Sequence, residues 1–485
     1  MSNYIIVFTM SSLIHFDRSS QNSCNSMRAA IFESGKLRVE RIPKPIIGPD
    51  QVLLRVAGTG LCGTDVKKIV FNLLGLGRGD PRIFGHEFTG EIVECGSEVR
   101  VVSVGDRVAV FHHVPCLGSE CKPCNEGKFS QCPTYASVDT FAGYGKPSGG
   151  GFAEYLVLPK EVVARGLIKI PNGISYEEAI FVEPLNCVLK AIGMFGKYNL
   201  PIAKGETVLV IGQGANGLLF TQILTRVYGA NVISIEPNAY RRMRSEEFGA
   251  IALTSKETHR LHGLGIRKAV VACASEKAIF SAVNLVNEGG VVVYFGDLMP
   301  GLCGRTYWNE LSRTEQPTII KNRLVLPSYS SAFELHDAAI ELVFGRQLEL
   351  RSLITHRVGL MDLNAAIKGF VTAKMYAESA EGVLKVLVQP DLDAAQVSAP
   401  YTSWWGYFVN KWIVPAVAVA GLCLVPLAGI GLYKQHTKFL KNGCVNPPNS
   451  CDYVCEKDQG PIPGKMKAKV DGQIFYHDYS CFSPP

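Results

Sequence analysis

Charge is sparse in this chain. Only 19% of its 485 residues are Asp, Glu, Lys or Arg, and the net charge is +6. No dense Lys/Arg stripe accompanies that small surplus, so nucleic-acid binding is not expected. The first 26 residues lack the basic start of a secretory leader: Met1–Phe16 is mildly apolar and Ser19–Ser26 is polar. That stretch, residues 1–26, reads as a disordered extension, and the globular pattern opens at Met27. No internal repeat is present, which excludes solenoids and propellers.

Apolar residues and cysteine are abundant. A hydrophobic fraction of 47% suits large buried cores. Four of the 15 cysteines fall between Cys116 and Cys132, and four more lie at Cys444, Cys451, Cys455 and Cys481. The first group has the spacing of metal ligands, which suits a reducing compartment better than a disulfide framework does.

From Met27 to about Leu158, alternating segments such as Val52–Val56 and Arg107–Phe111 are broken by Gly, Pro and Asp, which predicts a mainly β domain. From about Pro184, strands alternate with helices: Thr207–Ile211, Val232–Ile235, Ala269–Ala272 and Val291–Phe295. Such alternation predicts βαβ units on a parallel sheet. Only Ser255–Lys268 separates the apolar segment Ile251–Thr254 from the next strand, so a trimmed or irregular sheet is expected there.

Three constellations carry chemistry. A catalytic zinc takes about three protein ligands and keeps a fourth position open. Cys62 in Gly60–Asp65, His86 in Gly85-His86-Glu87 and Glu183 in Val182-Glu183-Pro184 supply such a set. Each alone is weak, since a lone cysteine in a β domain is usually a core residue. The second constellation is Cys116, Cys121, Cys124 and Cys132, which fit a tetrahedral structural zinc held by one loop, two disulfides being the alternative. The third is Gly212-Gln213-Gly214-Ala215-Asn216-Gly217, which follows a strand and opens an apolar helix; Glu236 ends the next strand about 20 residues on. The glycines let backbone approach a pyrophosphate at a helix N-terminus. The Glu236 carboxylate would accept ribose hydroxyls and repel a 2′-phosphate, favouring NAD over NADP. Arg241 joins Gly212, Gly214, Gly217 and Glu236 in the cofactor-binding set.

On these motifs, with Gly149–Glu154, residues 27–389 resemble the medium-chain zinc-dependent alcohol dehydrogenase family, in its sorbitol/threonine dehydrogenase-like branch. The resemblance implies a GroES-like catalytic domain of residues 27–185 and 350–390 around a Rossmann NAD-binding domain of residues 186–349. It implies that Cys62, His86 and Glu183 hold the catalytic zinc, with Glu87 beside it as a second-shell or exchanging ligand, and that the cysteine loop holds the structural zinc. It further implies a homodimer or homotetramer acting on a small alcohol or polyol, whose hydride passes to NAD. Thr64, close to Cys62, would relay the hydroxyl proton. In many relatives a histidine lies five positions after the catalytic cysteine; here that position is Lys67. Two competing readings are a zinc-free quinone or enone reductase on the same fold and a catalytically degenerate membrane protein.

Beyond a linker of residues 391–411, Trp412–Tyr433 is an uncharged apolar run bracketed by Lys411 and Lys434. About 20 apolar residues cross a bilayer core, so a transmembrane helix is expected, with residues 434–485 as a cysteine-containing tail. Trp404, Trp405, Trp412 and Tyr433 lie where interfacial aromatics belong. The lysines after the run favour a cytoplasmic tail by charge bias. NAD and zinc-thiolate chemistry instead favour the enzyme facing the cytoplasm, and that orientation is the one expected.

Overall fold

A computed structural model describes residues 26–33, 36–70, 81–134, 149–296, 316–375, 382–392, 465–470 and 473–478. The N-terminal extension up to residue 25, the linker beyond residue 392 and the Trp412–Tyr433 run lie outside them.

Two seven-stranded sheets form the body of the chain up to residue 392. The first contains β3 (Val52–Gly60), β5 (Glu87–Cys95), β6 (Arg107–Val110), β7 (Tyr155–Leu158), β8 (Leu167–Lys169), β16 (Ile354–Val358) and β17 (Lys385–Val388). Its order is β16-β17-β3-β5-β6-β8, with β7 also pairing β3. β17 lies antiparallel to the end of β3, with Leu387 opposite Gly60. The last strand thus returns over most of the chain to close the sheet that the first half began. A smaller sheet of β1 (Ser26–Glu33), β2 (Lys36–Pro43) and β4 (Arg82–Ile83) joins the same layer, where Phe32, Phe84, Phe152 and Val386 share one core.

The second sheet holds β9 (Thr207–Ile211), β10 (Asn231–Ile235), β11 (Ile251–Leu253), β12 (Lys268–Val271), β13 (Val291–Phe295), β14 (Thr318–Ile320) and β15 (Arg323–Ser328). Its order is β11-β10-β9-β12-β13-β15-β14. All neighbours are parallel except β14, which runs antiparallel to β15. The six parallel strands follow the doubly wound order 3-2-1-4-5-6. The strands read as continuous Val/Ile/Leu runs because helices cover both faces. The short stretch before β12 does not trim this sheet. A 3-10 helix, Ser255–Leu261, makes the crossover in the short space available, and Leu261 and Ile266 fill the core beneath it.

The helix Val182–Lys197 ties the halves together. Phe181, Leu185, Val188, Ile192 and Phe195 are buried in one cluster with Val208 and Val210 of β9 and Phe111 after β6. Among the described residues, the helical stretch Tyr176–Lys197 is the one long and apolar enough to cross a membrane, and 83% of its most apolar window is buried within the fold. It is a core helix here. The tail contributes a separate antiparallel hairpin, β18 (Lys465–Val470) and β19 (Gln473–Asp478), where the sequence shows no clear period.

Candidate active site and metal centres

A cleft with an interior volume of about 170 Å³ opens between the two sheets. One wall carries Cys62, Thr64, Lys67, His86, Glu87 and Glu183; the other carries Gly214–Asn216, Ala272–Ala274 and Ser328–Ser330. The residues expected for the catalytic metal and two of those expected for the cofactor, Gly214 and Arg241, therefore face one space, at the crevice where strand order reverses between β9 and β12.

The metal wall is built from three pieces of chain. β3 ends at Gly60 and the helix Gly63–Val70 begins, which turns Cys62 outward at the junction. Asp65, fully buried in that helix, organises the junction: its carboxylate accepts from Cys62 N at 3.0 Å, from Gly85 N at 3.3 Å and from His86 Nδ1 at 3.2 Å. That last contact places the proton on Nδ1 and leaves Nε2 as the donor atom for a metal. The ligand atoms of Cys62, His86 and Glu87 lie within 4.8 Å of one another. Glu183 enters from the first turn of the helix Val182–Lys197 and lines the same cleft.

Charge in this wall is finely divided. Lys385 on β17 donates to both oxygens of Glu87, at 2.9 and 2.6 Å, in a buried ion pair. Glu87 thus has a resident cation, while Glu183 has the Cys187 thiol, which donates to its Oε1 at 3.4 Å. Burial, with Glu87 close by, pushes the Glu183 carboxyl up to about 7. For His86, burial opposes the charged ring, but Asp65 and Cys62 outweigh it and the pKa is raised well above its ordinary value, so a metal bound at Nε2 would displace a proton from the ring. A thiol, an imidazole and carboxyl groups converge on this one stretch of the cleft wall. That donor set fits zinc. The carboxylate that the structure groups with Cys62 and His86 is Glu87, expected only as a neighbour; Glu183, expected as the third ligand, lines the same cleft.

The four-cysteine loop is compact. The Sγ atoms of Cys116 and Cys124 are 3.8 Å apart, and those of Cys121 and Cys132 are 3.9 Å apart. All four thiols are free, so the disulfide alternative is set aside. A tetrahedron with zinc–sulfur bonds of about 2.3 Å has edges of about 3.8 Å, which is the spacing seen. Phe129 of this lobe packs edge-on against Phe333, at 5.3 Å between centroids.

The glycine loop carries its own test. Gly212 has φ +94°, and an added Cβ would lie 2.9 Å from Cys273 Cβ. At Gly217 an added Cβ would come within 2.0 Å of the Gly212 carbonyl oxygen. Gly214, at the N-cap of the helix Ala215–Gln222, has nothing within 4 Å and faces the cleft. The turn, the close packing and the open face are what a pyrophosphate at a helix N-terminus requires. Asn216 Oδ1 and Arg241 Nε are buried without a hydrogen-bond partner among the described residues, and both residues line the cleft. Arg241 is anchored by its Nη2, which donates to the Val383 carbonyl at 2.8 Å. Glu236 stands at the end of β10 as expected, but its carboxylate turns into the protein. Its oxygens accept from Gln213 N at 2.7 Å and Asn238 N at 3.0 Å, tying the glycine loop to the next turn.

Comparison with known proteins follows the same lines. Residues 48–172 match the model of the alcohol dehydrogenase GroES-like domain. The chain is 30% identical over 364 residues to sorbitol dehydrogenase 1 of Saccharomyces cerevisiae, spanning 70% of this chain and 93% of that protein. The chain belongs to the medium-chain alcohol dehydrogenase family. Another relative within it is the L-threonine 3-dehydrogenase of Pseudoalteromonas translucida, 28% identical across 68% of this chain and 92% of that protein. Among solved structures, a zinc-binding dehydrogenase from Sinorhizobium meliloti 1021 bound to NADP matches with a TM-score of 0.59 and 29% identity, covering 75% of this chain and 99% of that one.

The dehydrogenase cleft also holds residues that the sequence did not single out. His112, buried, and His113, half-buried, follow β6 in the cleft wall, with the rings of His86 and His112 edge-on at 5.3 Å. His113 Nδ1 lies 3.0 Å from Ser330 Oγ, linking the catalytic sheet to the end of β15. Lys385 was hidden inside a β-strand. The doubled histidine directly after a strand was the one signal available for that wall.

Proposed function

We propose that this protein is a zinc-dependent dehydrogenase that oxidises an alcohol or polyol CH–OH group with NAD, giving a ketone or aldehyde. The observation that carries it is the convergence of Cys62, His86, Glu87 and Glu183 in a cleft whose opposite wall is the glycine loop. Cys62, His86 and Glu183 would hold the catalytic zinc, and Cys116, Cys121, Cys124 and Cys132 a structural one. When bound, the zinc supplies a Lewis acid for the substrate oxygen and the nicotinamide supplies the hydride acceptor. Asp65 fixes the His86 tautomer. Lys385 holds Glu87 in place through both carboxylate oxygens. Thr64 and Lys67 share one face of the helix Gly63–Val70, three residues apart, and both line the cleft. The Thr64 hydroxyl takes the substrate proton outward along that face. Gly212, Gly214, Gly217 and the helix they open seat the cofactor phosphates, with Arg241 at the cleft wall.

Purified protein, assayed for zinc and for NADH absorbance across a panel of alcohols and polyols, tests this assignment. A zinc-free quinone or enone reductase would show turnover with no metal; the two donor clusters speak against it. The expected cofactor choice rests on Glu236 as the acidic residue at the end of β10, although Gln213 N and Asn238 N already hold its carboxylate. NAD is expected to be preferred over NADP by at least about tenfold in kcat/KM, roughly 1.4 kcal/mol. Steady-state kinetics with both cofactors check this, and an equal or reversed preference would reject Glu236 as the discriminator.

A homodimer or homotetramer is part of the proposal. Ile319, 73% exposed on the edge strand β14, is an apolar surface that supports it. The length and apolar character of Trp412–Tyr433 support a membrane anchor, with the enzyme domain in the cytoplasm. Alkaline carbonate should leave the protein in the membrane pellet, and release into the supernatant would reject the anchor.

A further inference from the structure

The chain that leaves β15 is tied down at several points. Lys190 Nζ donates to the Tyr329 carbonyl at 2.8 Å, and Ser330 Oγ lies 3.0 Å from His113 Nδ1. Asn186 holds Ala332 twice: its Oδ1 accepts from Ala332 N at 2.7 Å, and its Nδ2 donates to the Ala332 carbonyl at 2.9 Å. Ser328, the last residue of β15, is fixed through its backbone, where its carbonyl accepts from Gly296 N at 2.9 Å. Its side chain is not held in this way. Ser328 is fully buried and lines the cleft, and its Oγ has no hydrogen-bond partner among the described residues.

A buried hydroxyl without a partner opposes folding unless something else meets it. Here the backbone around it is rigidly framed, and the hydroxyl belongs to a cleft wall. Those are the conditions for a contact held ready for a ligand. Position decides which part of the ligand it meets. Ser328 lies opposite Phe295 of β13, and Ala272–Ala274, Phe295 and Gly296 line the cleft with it. These residues stand at the carboxyl ends of β12, β13 and β15, on one side of β9; β10 and Glu236 lie on the other. The glycine loop after β9 marks the pyrophosphate between them, and the two halves of a dinucleotide lie on its two sides. With adenosine on the β10 side, the nicotinamide falls on the side of Ser328.

We propose that Ser328 Oγ accepts a hydrogen bond from the carboxamide N–H of the nicotinamide and so selects that end of the cofactor. The inference rests on the dehydrogenase assignment above and adds a specificity-determining residue to it. Held by its carboxamide, the ring loses rotation about its glycosidic bond and keeps one edge toward β15.

The test titrates the full chain, by calorimetry, with NADH and with its reduced 3-acetylpyridine analogue, in which a methyl group replaces the amide NH2. Ser328→Ala is expected to weaken NADH binding about fivefold or more and to leave the analogue within about twofold. The free variant should unfold at the same temperature or higher, because the hydroxyl it loses was unpaired. Ser328→Cys, close to serine in shape and a weak acceptor, is expected to lose the same discrimination; it serves should the alanine variant not fold. Equal weakening of both ligands would reveal a structural role only and overturn the proposal. Unchanged NADH affinity with a raised KM for the alcohol would give the hydroxyl to the substrate and overturn it as well. NADH bound with discrimination unmoved in both variants rejects Ser328 alone; no NADH binding by the unsubstituted chain rejects the dehydrogenase assignment and the proposal with it.

Discussion

Cys62→Ser is expected to reduce dehydrogenase activity by at least about a thousandfold, equivalent to about 4 kcal/mol in transition-state stabilisation. The reason is compound. The hydroxyl is a poor substitute for a thiolate as a zinc ligand. Cys62 also sits where β3 hands over to the helix Gly63–Val70, with its backbone N–H held by Asp65. The backbone contact survives the substitution, so the fold should be kept and only the metal lost. Elemental analysis should show zinc falling from two atoms per chain to one, while thermal unfolding stays within a few degrees. Full activity in the variant, or in metal-free protein, would defeat the catalytic assignment.

Cys132→Ser is expected to do the opposite. Cys132 is fully buried within the four-thiol cluster, and its Sγ also accepts from Cys116 N at 3.3 Å. The loop has little hydrophobic core of its own; on the proposed assignment a bound zinc supplies its cohesion, as in small metal-nucleated folds. Loss of one thiolate should cost about 3 kcal/mol or more, lowering Tm by about 6 °C or more. Zinc again falls by one atom per chain, but residual activity persists at low temperature. A variant with unchanged Tm and two zinc atoms would show that Cys116, Cys121 and Cys124 do not need their fourth partner.

How much of this was legible beforehand varies with the range of the interactions. The glycine loop was readable because its requirements are local: Gly212 and Gly217 answer to atoms within a few residues or on the adjacent strand. Cys62 and His86 were readable as motifs, although their meeting with Glu87 depends on the whole fold. Lys385 was not, because its partner Glu87 lies 298 residues away, a separation that no pattern within a strand records. Glu236 was placed correctly, but its orientation was not foreseen. Its carboxylate is captured by N–H groups of the loop it follows, and such capture depends on backbone geometry that spacing does not reveal. The crossover before β12 was expected to damage the sheet. A 3-10 helix rises more per residue than an α-helix, so a short segment spans the distance.

The position of β17 has a consequence for how the enzyme is made. The catalytic sheet begins with β3 and is finished only by β16 and β17, after the entire nucleotide-binding sheet has been synthesised. At ribosomal rates of about 5–20 residues per second, roughly 10 to 40 seconds pass between β8 and β16. During that interval the edge of β3 that will receive Leu387 is open, and Glu87 has no lysine. The nascent chain must keep that edge from other strands, and a message truncated before Lys385 yields a product with an intact nucleotide fold and an unfinished active site.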